Sequence, residues 1–406
     1  MHFEVLTDHS PGMNDAPFEV VERKGRGHPD TVCDLLAERI SRDLAQYYLK
    51  ECGQVLHYNV DKALLVGGVA APRFGGGKII EPVKFYLGGQ AIAAADGMRF
   101  DLDAVIEDSI SSWLSDNLRF LRLGKNLVWK NEVRPGAAVL NGVEDRAVSN
   151  DTSVGVGHWP PSDLESMTLA VEEYMNAPAF KARHPETGED IKVMAVRQGK
   201  NMDFTVACAM VDRFIAGVAG YEEKKTAIQN NVLAFLREKY PHHHISLTLN
   251  ALDDPARGAD GLYLTVTGLS CESGDSGQVG RGNRVNGLIS FMRPQTMEAW
   301  AGKNSKTHVG RIYSLAAQAL ARKLTEEIPG VSDATVVLVG KIGAPVNAPP
   351  YVFADLKMWG HNHAMFRDQA EKVLKTAIED GAIFLPEALV AVGSEDKEIF
   401  CKKVLA

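Results

Sequence analysis

Residues 274–283 of this chain read Gly-Asp-Ser-Gly-Gln-Val-Gly-Arg-Gly-Asn, and residues 302–308 read Gly-Lys-Asn-Ser-Lys-Thr-His. Glycines let a backbone approach a phosphate closely and adopt positive φ angles. Arginine and lysine give charge-assisted hydrogen bonds to phosphate oxygens. A nearby aspartate suits Mg²⁺, which favours one or two carboxylates together with substrate phosphates. The two runs therefore predict a site that handles a polyphosphate with magnesium.

The bulk composition is that of an ordinary globular protein. The chain has 406 residues, 45% of them hydrophobic and 24% charged, which is enough for two or three domains' worth of core. Its net charge of −8 argues against nucleic-acid binding, because a broad basic footprint is missing. No run approaches the roughly 18 apolar residues that mark a membrane span, so we expect neither nucleic acid nor membrane as a partner.

The cysteines and the N-terminal residues bear on the compartment. The five cysteines form no Cys-x-x-Cys pair, so neither a disulfide framework nor a zinc site is indicated. Residues 1–8 lack the basic start and apolar run of a signal peptide. We therefore expect a cytoplasmic protein with reduced thiols.

Helical and strand patterns alternate along the chain without a fixed repeat, which predicts an α+β fold. Apolar residues recur at helical spacing in segments that predict helices at 30–50, 102–121, 163–176, 221–239, 308–327 and 366–380. Strand patterns fall at 55–60, 63–69, 191–197, 203–211, 245–250, 262–268 and 333–340. No linker rich in proline, serine or charge separates these parts, so any domains are expected to be closely joined.

Gly27-His28-Pro29-Asp30 lies where the first helix is expected to begin. Free N–H groups and the helix dipole attract anions there, so His28 could contact a phosphate oxygen while Asp30 holds a metal ion. The competing interpretation is plain capping, because an acidic residue in the first turn is common.

Other charged positions allow two interpretations in the same way. Asp61 precedes Lys62 in what reads as a turn, where such a pair is usually only solvated. Asp190 and Lys192 alternate along an expected strand and therefore share one face, either as a surface pair or as ligand contacts. Asp151 lies beside two hydroxyl residues at the start of a glycine-broken strand, with the same two possibilities.

Together these segments resemble S-adenosylmethionine synthetase (methionine adenosyltransferase), in its archaeal-type branch. The matching blocks run in one order from about residue 18 to 350 and are Glu22–Asp30, Leu65–Gly68, Phe74–Gly77, Asn150–Ser153, Gly188–Met194, Val279–Ile289 and Gly302–Asn304. The resemblance implies an enzyme that joins ATP to L-methionine with Mg²⁺ and K⁺. Methionine sulfur attacks the ribose C5′, and the bound triphosphate is then split to pyrophosphate and phosphate.

The resemblance also assigns roles to single residues. His28, Lys303 and Arg281 are implied as catalytic, and Asp30 and Asp275 as the magnesium carboxylates. ATP and its phosphates are expected to contact Lys192, Asp190, Arg281, Lys303 and Lys306. Asp151 and Asp61 are implied in the methionine or substrate pocket.

The implied fold has three interleaved sheet-and-helix subdomains related by approximate threefold symmetry. We place the first subdomain at 1–26 plus 150–270, the central one with the phosphate and metal motifs at 27–125 plus 271–310, and the third at 126–149 plus 311–406. The resemblance further implies a homodimer with active sites shared between subunits, with pairing of dimers into tetramers as a variant.

Three departures from the family pattern stand in this chain. A substrate-contacting aspartate of the branch is replaced by Val139, and a second aspartate after Asp275 is Ser276. The usual Pro-Val-Asn after Asn304 is Ser-Lys-Thr, which adds the cation of Lys306. Two alternatives therefore stand beside the synthetase: a non-catalytic homologue that binds nucleotide, and an enzyme that performs the same chemistry on another thioether.

Overall fold

A computed structural model describes residues 1–10, 12–137, 140, 142, 144–358 and 363–384. Its helices are α1 (Pro29–Cys52), α2 (Leu102–Asn117), α3 (Asp163–Asn176), α4 (Pro178–Arg183), α5 (Val218–Lys239), α6 (Val309–Glu327) and α7 (His363–Asp380). Its strands are β1 (His2–Asp8), β2 (Phe18–Lys24), β3 (Tyr58–Val66), β4 (Val69–Ala71), β5 (Lys78–Glu81), β6 (Val83–Ala91), β7 (Ala94–Ala95), β8 (Met98–Arg99), β9 (Leu127–Arg134), β10 (Val154–Trp159), β11 (Thr187–Gln198), β12 (Asn201–Val211), β13 (His244–Leu249), β14 (Leu264–Thr265), β15 (Gly277–Gln278), β16 (Ile289–Ser290), β17 (Val331–Val339) and β18 (Tyr351–Met358).

Three larger sheets organise the chain, and each has its own hydrophobic core. Sheet 1 has the strand order β1-β18-β17-β10 and packs against α6 and α7. Sheet 2 runs β13-β12-β11-β2-β16, with β14 beside β12, and packs against α3 and α5. Sheet 3 runs β15-β3-β6-β9 and packs against α1 and α2. The predicted α+β class, with three sheet-and-helix units, is confirmed.

The sheets group some strands differently from the predicted domain boundaries, which stay a prediction. Strands β1 and β10 fall within the predicted first subdomain but pair in sheet 1 with β17 and β18. Strand β9 falls within the predicted third subdomain but pairs with β6 in sheet 3. The chain thus crosses between the three sheets at points that these boundaries do not follow.

Helix α1 matches the helix predicted at 30–50 to within two residues at each end. Pro29 occupies the first helical position, where a missing N–H has no cost, and the ring of His28 caps the helix by accepting from the Asp30 amide. The helix ends at Gly53, whose φ of 76° is a left-handed C-cap conformation. The apolar stripe beginning at Val32 is buried against sheet 3, which fixes both ends of the helix relative to that sheet.

Two strand predictions need correction. The expected strands at 55–60 and 63–69 are one strand, β3, with a register irregularity between Asn59 and Lys62. Asp61 and Lys62 therefore lie within a strand and not in a turn. The strand expected at 262–268 shrinks to two residues, β14, because the segment then turns into a 3-10 helix at Ser270–Ser273.

Buried ion pairs connect the three units. Arg293 contacts Glu165 of α3 at 3.0 Å and Asp333 of β17 at 2.9 Å. Arg311 of α6 contacts Glu38 of α1 at 2.5 Å. Breaking a buried pair leaves an uncompensated charge, so these contacts hold the units in one relative arrangement. Across the described residues, no helix combines the length and apolar character that a membrane crossing requires.

Candidate active site

The start of α1 forms the centre of a first polar cluster. His28 Nδ1 accepts from the Asp30 amide at 3.2 Å, so the ring proton belongs on Nε2. Burial lowers the pKa of His28 to about 4, and the opposing charges of Asp30 and Asp275 and the like charge of Lys24 act on it more weakly. A neutral imidazole with its Nε2–H free to donate therefore lies beside the helix N-terminus, where anions are favoured.

Two lysines face each other on neighbouring strands next to this helix. Lys24 of β2 and Lys192 of β11 are direct register partners, and both ammonium groups approach Glu22, at 3.9 and 3.7 Å. Like charges directly opposite one another destabilise a sheet. The Glu22 carboxylate partly offsets that repulsion, and an anionic ligand between the two lysines would offset the remainder. The Lys24 ammonium also contacts Asp30 at 2.9 Å.

The glycine-rich run 280–282 lies against α1, where the buried Asp34 carboxylate accepts a hydrogen bond from it. Asp34 accepts from the Gly280 amide at 2.8 Å, and burial raises the pKa of Asp34 to about 7. The Arg281 carbonyl accepts from the Lys24 ammonium at 2.6 Å, while the Arg281 residue is exposed. Arg284 donates to the carbonyls of this run. The loop is thereby held rigidly with the Arg281 side chain outward.

A serine joins two carboxylates on the same side of the site. The Ser270 hydroxyl lies 2.5 Å from Asp190 and 2.9 Å from Asp275. Burial raises the pKa of Asp190 to about 7, hydrogen bonds from Ser270 oppose the rise, and the like charge of Asp275 adds to it. Carboxylates brought this close repel each other, and a divalent cation would relieve that repulsion.

The donor set fits a hard cation that shares its coordination with substrate. Within the described ranges, no cluster of three or more His, Cys, Asp or Glu residues could hold a metal by itself. Mg²⁺ does not need one, since one or two carboxylates and substrate phosphates suffice. Asp30 uses one oxygen for the Gln278 amide and the other for Lys24. Asp275 contacts Ser270 through Oδ2, and the predicted metal role of these two aspartates stays a prediction.

A second polar cluster surrounds Lys303. Its ammonium group is buried and contacts Asp61 Oδ2 at 3.1 Å and Glu298 Oε1. Burial tends to raise the pKa of Asp61, but the charges of Lys303 and Lys62 outweigh it and hold that pKa below its usual value. The interpretation of Asp61 as part of a solvated turn is therefore wrong, because its side chain is buried against a catalytic candidate.

Asp151 lies next to this second cluster. His308 caps α6 through Nδ1, which accepts from the Gly310 amide, and its Nε2 lies 3.4 Å from Asp151 Oδ2. Burial lowers the pKa of His308 to about 3, helped by the charge of Lys303. Lys306 is half-buried in the same loop, and its amide donates to Asn304 Oδ1.

The first cluster lies at the start of α1 and the second beside its middle, and the two lie at opposite ends of β3. Ser41, which is 12 residues beyond Pro29 in α1, donates to the Lys303 carbonyl at 2.9 Å. At 1.5 Å per residue this places the Lys303 loop about 18 Å along the helix from His28. Strand β3 shows the same order, with Leu65 paired to Gly277 at one end and Asn59 bridged to Lys303 at the other. One chain therefore brings His28, Asp30, Asp190, Lys192, Arg281 and Asp275 together, but not Lys303, Lys306, Asp61 or Asp151.

The departures from the family pattern have different structural contexts. Ser276 accepts from the Gly67 amide at 3.1 Å, so its hydroxyl connects the 274–277 run to the turn after β3. Val139 lies outside the described residues.

Four contributors to these clusters were not assigned roles from the sequence: Glu22, Lys24, Ser270 and Glu298. Lys24 had a usable signal, since it lies in the matching block Glu22–Asp30, close before Gly27-His28. Ser270 and Glu298 had none, because their contacts depend on how separate loops fold together.

The chain is similar to known S-adenosylmethionine synthetases. A family model described as S-adenosylmethionine synthetase matches residues 3–389. The chain is 42% identical over 338 residues to a probable S-adenosylmethionine synthase of Aquifex aeolicus, covering 82% of this chain and 84% of that protein. It is 40% identical over 389 residues to the S-adenosylmethionine synthase of Aeropyrum pernix, covering 94% and 95%.

A solved structure supports the fold. An unusual S-adenosylmethionine synthetase from Campylobacter jejuni superposes with a TM-score of 0.61 over 96% of this chain and 93% of that one. Sequence identity is only 15%, so this likeness speaks for the architecture alone.

Proposed function

Because this chain belongs to the S-adenosylmethionine synthetase family, we propose that its two polar clusters are the two halves of one active site that joins ATP to L-methionine. The family's activity is that of a methionine adenosyltransferase, with ATP and methionine as substrates. The observation that carries the site assignment is the pair of facing lysines, Lys24 and Lys192, beside the capped start of α1 and two acidic residues.

The first cluster is proposed to bind and stabilise the departing triphosphate. When methionine sulfur attacks the ribose C5′, negative charge grows on the leaving chain, and preorganised cations give the largest expected gain. Lys24, Lys192 and Arg281 supply positive charge, and the N-terminal amides of α1 supply donors. His28 is neutral and donates from Nε2 to a leaving oxygen.

Magnesium is proposed as the metal, and the chain's own residues suit it. Asp30 and Asp275 would hold it, and Mg²⁺ bound there would supply positive charge to the triphosphate oxygens. Asp190, whose pKa is raised to about 7, is proposed to lie at the nucleoside end of the pocket. K⁺ is proposed as an activating ion without an assigned ligand set.

The second cluster is proposed to reach the site from a partner subunit. Lys303 and Lys306 would complete the triphosphate clamp, and Asp151 and Asp61 the methionine end. We propose the outer face of sheet 3 as the dimer surface, because Leu64 and Val128 are 42% and 40% exposed there and exposed apolar side chains are buried in dimer interfaces. We place the protein in the cytoplasm, which agrees with the free thiols of the four cysteines in the described part.

The test is product formation by the purified full chain. Incubation with ATP, methionine, Mg²⁺ and K⁺ should give the sulfonium product by mass spectrometry, together with pyrophosphate and phosphate. His28→Ala and Lys303→Ala should each lower turnover by about two to four orders of magnitude, from lost leaving-group stabilisation.

Controls separate the alternatives. ATP binding without product would favour a non-catalytic homologue, and product from ethionine in preference to methionine would favour a different thioether. Near-normal turnover in both variants, with unchanged melting temperatures, would remove the site assignment. Undiminished activity in excess chelator would remove the metal roles of Asp30 and Asp275.

A further inference from the structure

The environment of Lys303 is unusual for a phosphate-binding lysine, because its ammonium group is already paired with carboxylates. Its side chain is only 3% exposed, and two carboxylates contact its one ammonium group. Lys62 also contacts Asp61, at 2.7 Å, so the two lysines and the two carboxylates balance, and no net positive charge remains to attract the polyanion that the proposed function requires. An approaching triphosphate would meet the Glu298 carboxylate at this point, and like charges repel each other.

The two carboxylates differ in how firmly they are held. Asp61 lies inside β3, and its side chain is 3% exposed. Glu298 lies in the stretch 291–300, which has no helix or strand, and its side chain is 31% exposed. Its backbone amide is held by the Thr296 hydroxyl at 3.1 Å, but the side chain has solvent beside it. Of the two, only Glu298 can leave Lys303 without unfolding a strand.

An open cleft lies next to the contact between Glu298 and Lys303. Glu298 also lines a small open cleft of about 20 Å³ that it shares with Arg284 and Gln318. Rotation toward that cleft would expose the Lys303 ammonium group and bring the carboxylate near another cation. Asp61 would stay behind and keep Lys303 oriented.

We infer that Glu298 is an internal anion that occupies Lys303 in the free protein and is displaced by the phosphates of the substrate. The inference rests on the proposed function, since it assumes that Lys303 meets the triphosphate. Glu298 acts only through Lys303 and touches no substrate atom. It makes binding of a polyphosphate weaker than the cation alone would allow, and it helps the cleaved phosphates to leave because it can reclaim Lys303.

The direct test uses inorganic tripolyphosphate with Mg²⁺ and isothermal titration calorimetry on the full chain. Glu298→Gln removes the competing charge while keeping the shape of the side chain, so the affinity should rise about tenfold, a change that corresponds to about 1.4 kcal/mol. A residue with a merely structural role would give the opposite result, with weaker binding and a lower melting temperature. In steady-state kinetics KM for ATP should fall, without a matching rise in kcat, because the products leave more slowly.

A matched control is available in α6. Glu327 also pairs with a lysine, Lys323, but at the far end of that helix, about 27 Å from its start. Glu327→Gln makes the same change of charge, and we expect wild-type tripolyphosphate affinity. Glu298→Asp is the second variant, whose shorter side chain holds Lys303 less closely and should give a smaller rise in affinity.

The outcomes distinguish this inference from the proposed function. If Lys303→Ala loses tripolyphosphate affinity while Glu298→Gln and Glu298→Asp bind no more tightly than wild type, the competing role of Glu298 is overturned and the site assignment stands. If Lys303→Ala binds tripolyphosphate as well as wild type, the assignment of Lys303 fails, and this inference fails with it.

Discussion

At the level of single residues, His158 shows how burial sets a protonation state away from the proposed site. It lies in β10, and its backbone exchanges hydrogen bonds with the Gln318 side chain. Burial lowers the pKa of His158 to about 4; the positive charge of Arg293 lowers it further, and Glu165 opposes the shift. The ring is therefore neutral in the folded protein at pH values where the unfolded chain binds a proton.

This depressed pKa predicts a loss of stability on acidification. Between about pH 6.5 and 4 the unfolded state binds the proton and the native state does not, so the stability present above pH 6.5 is lost as pH falls. A shift of this size is worth about 3 kcal/mol. His158→Gln should lose less free energy of unfolding than wild type between pH 7 and 4.5, as measured by urea denaturation at each pH.

An exposed histidine supplies the control for that measurement. His242 lies in the loop before β13 and is exposed, so His242→Gln should follow the wild-type pH dependence. If His158→Gln also follows it, the ring is not the titrating group that we take it to be.

The sequence motifs indicated several residues that the structure brings together, and their roles stay predictions. The sequence indicated His28, Asp30, Asp190, Lys192, Arg281 and Asp275, and one region of the structure holds all six. It did not indicate Ser270 or Glu298, because a serine or glutamate in a loop has no distinguishing pattern. Ser270 matters because its hydroxyl contacts Asp190 and Asp275. Glu298 matters because its carboxylate contacts Lys303.

At the level of elements, the contact between β15 and α1 aligns the acidic and glycine-rich runs. A Cβ at position 277 would collide with the Pro29 carbonyl and the Asp30 amide. Glycine at this position lets the strand lie directly on the first turn of the helix. The Gln278 amide can then donate to Asp30 at 3.0 Å.

Gly277→Ala should therefore damage both stability and activity. The added methyl group forces β15 away from α1, at a cost of about 1–3 kcal/mol, and breaks the hydrogen bond to Asp30. Thermal unfolding should show a lower melting temperature, and turnover should fall. Gly220→Ala is the control: that glycine lies in α5 with open space around it, and alanine there should leave the melting temperature unchanged or slightly raised.

A wild-type melting temperature for Gly277→Ala would contradict the close packing of strand and helix.

Long amphipathic helices such as α1, α3 and α6 were predicted to within a few residues, because their apolar period is clear. Strands β2, β6 and β18 were not assigned, and β3 was divided in two at Asp61 and Lys62. A charged pair such as Asp61 and Lys62 indicates a turn in sequence-based reasoning, because the sequence does not show that the buried Lys303 pairs with Asp61.

At the level of the whole molecule, the separation of the two clusters within one chain predicts that a complete active site needs two subunits. In a twofold-symmetric dimer, each complete site would take His28 from one subunit and Lys303 from the other. A mixed dimer of His28→Ala and Lys303→Ala would then hold one site with both residues intact and one with both replaced.

Mixing the two inactive variants should therefore restore activity. After dissociation and random reassociation of equal amounts, half of the dimers are mixed, and one of their two sites is intact. Turnover should reach about a quarter of the wild-type value. Either variant treated alone is the control, and failure to recover activity despite proven subunit exchange would show that each site lies within one chain.

The interleaving of the units could not have been derived from patterns along the chain. Nothing in the segments His2–Asp8 and Tyr351–Met358 indicates that they pair in parallel at the two extremes of the described sequence. The family resemblance indicated three subdomains, but only the hydrogen-bonded register shows which strands share a sheet.

Helix α1 has a further consequence for a dimer with shared sites. Its first turn carries His28, and its middle supports the Lys303 loop, so in such an assembly each copy of the helix would extend from one catalytic centre to the other. In such an assembly, movement of one end of the helix on triphosphate binding would be transmitted to the opposite centre. The two turnovers of a dimer would then not be independent events.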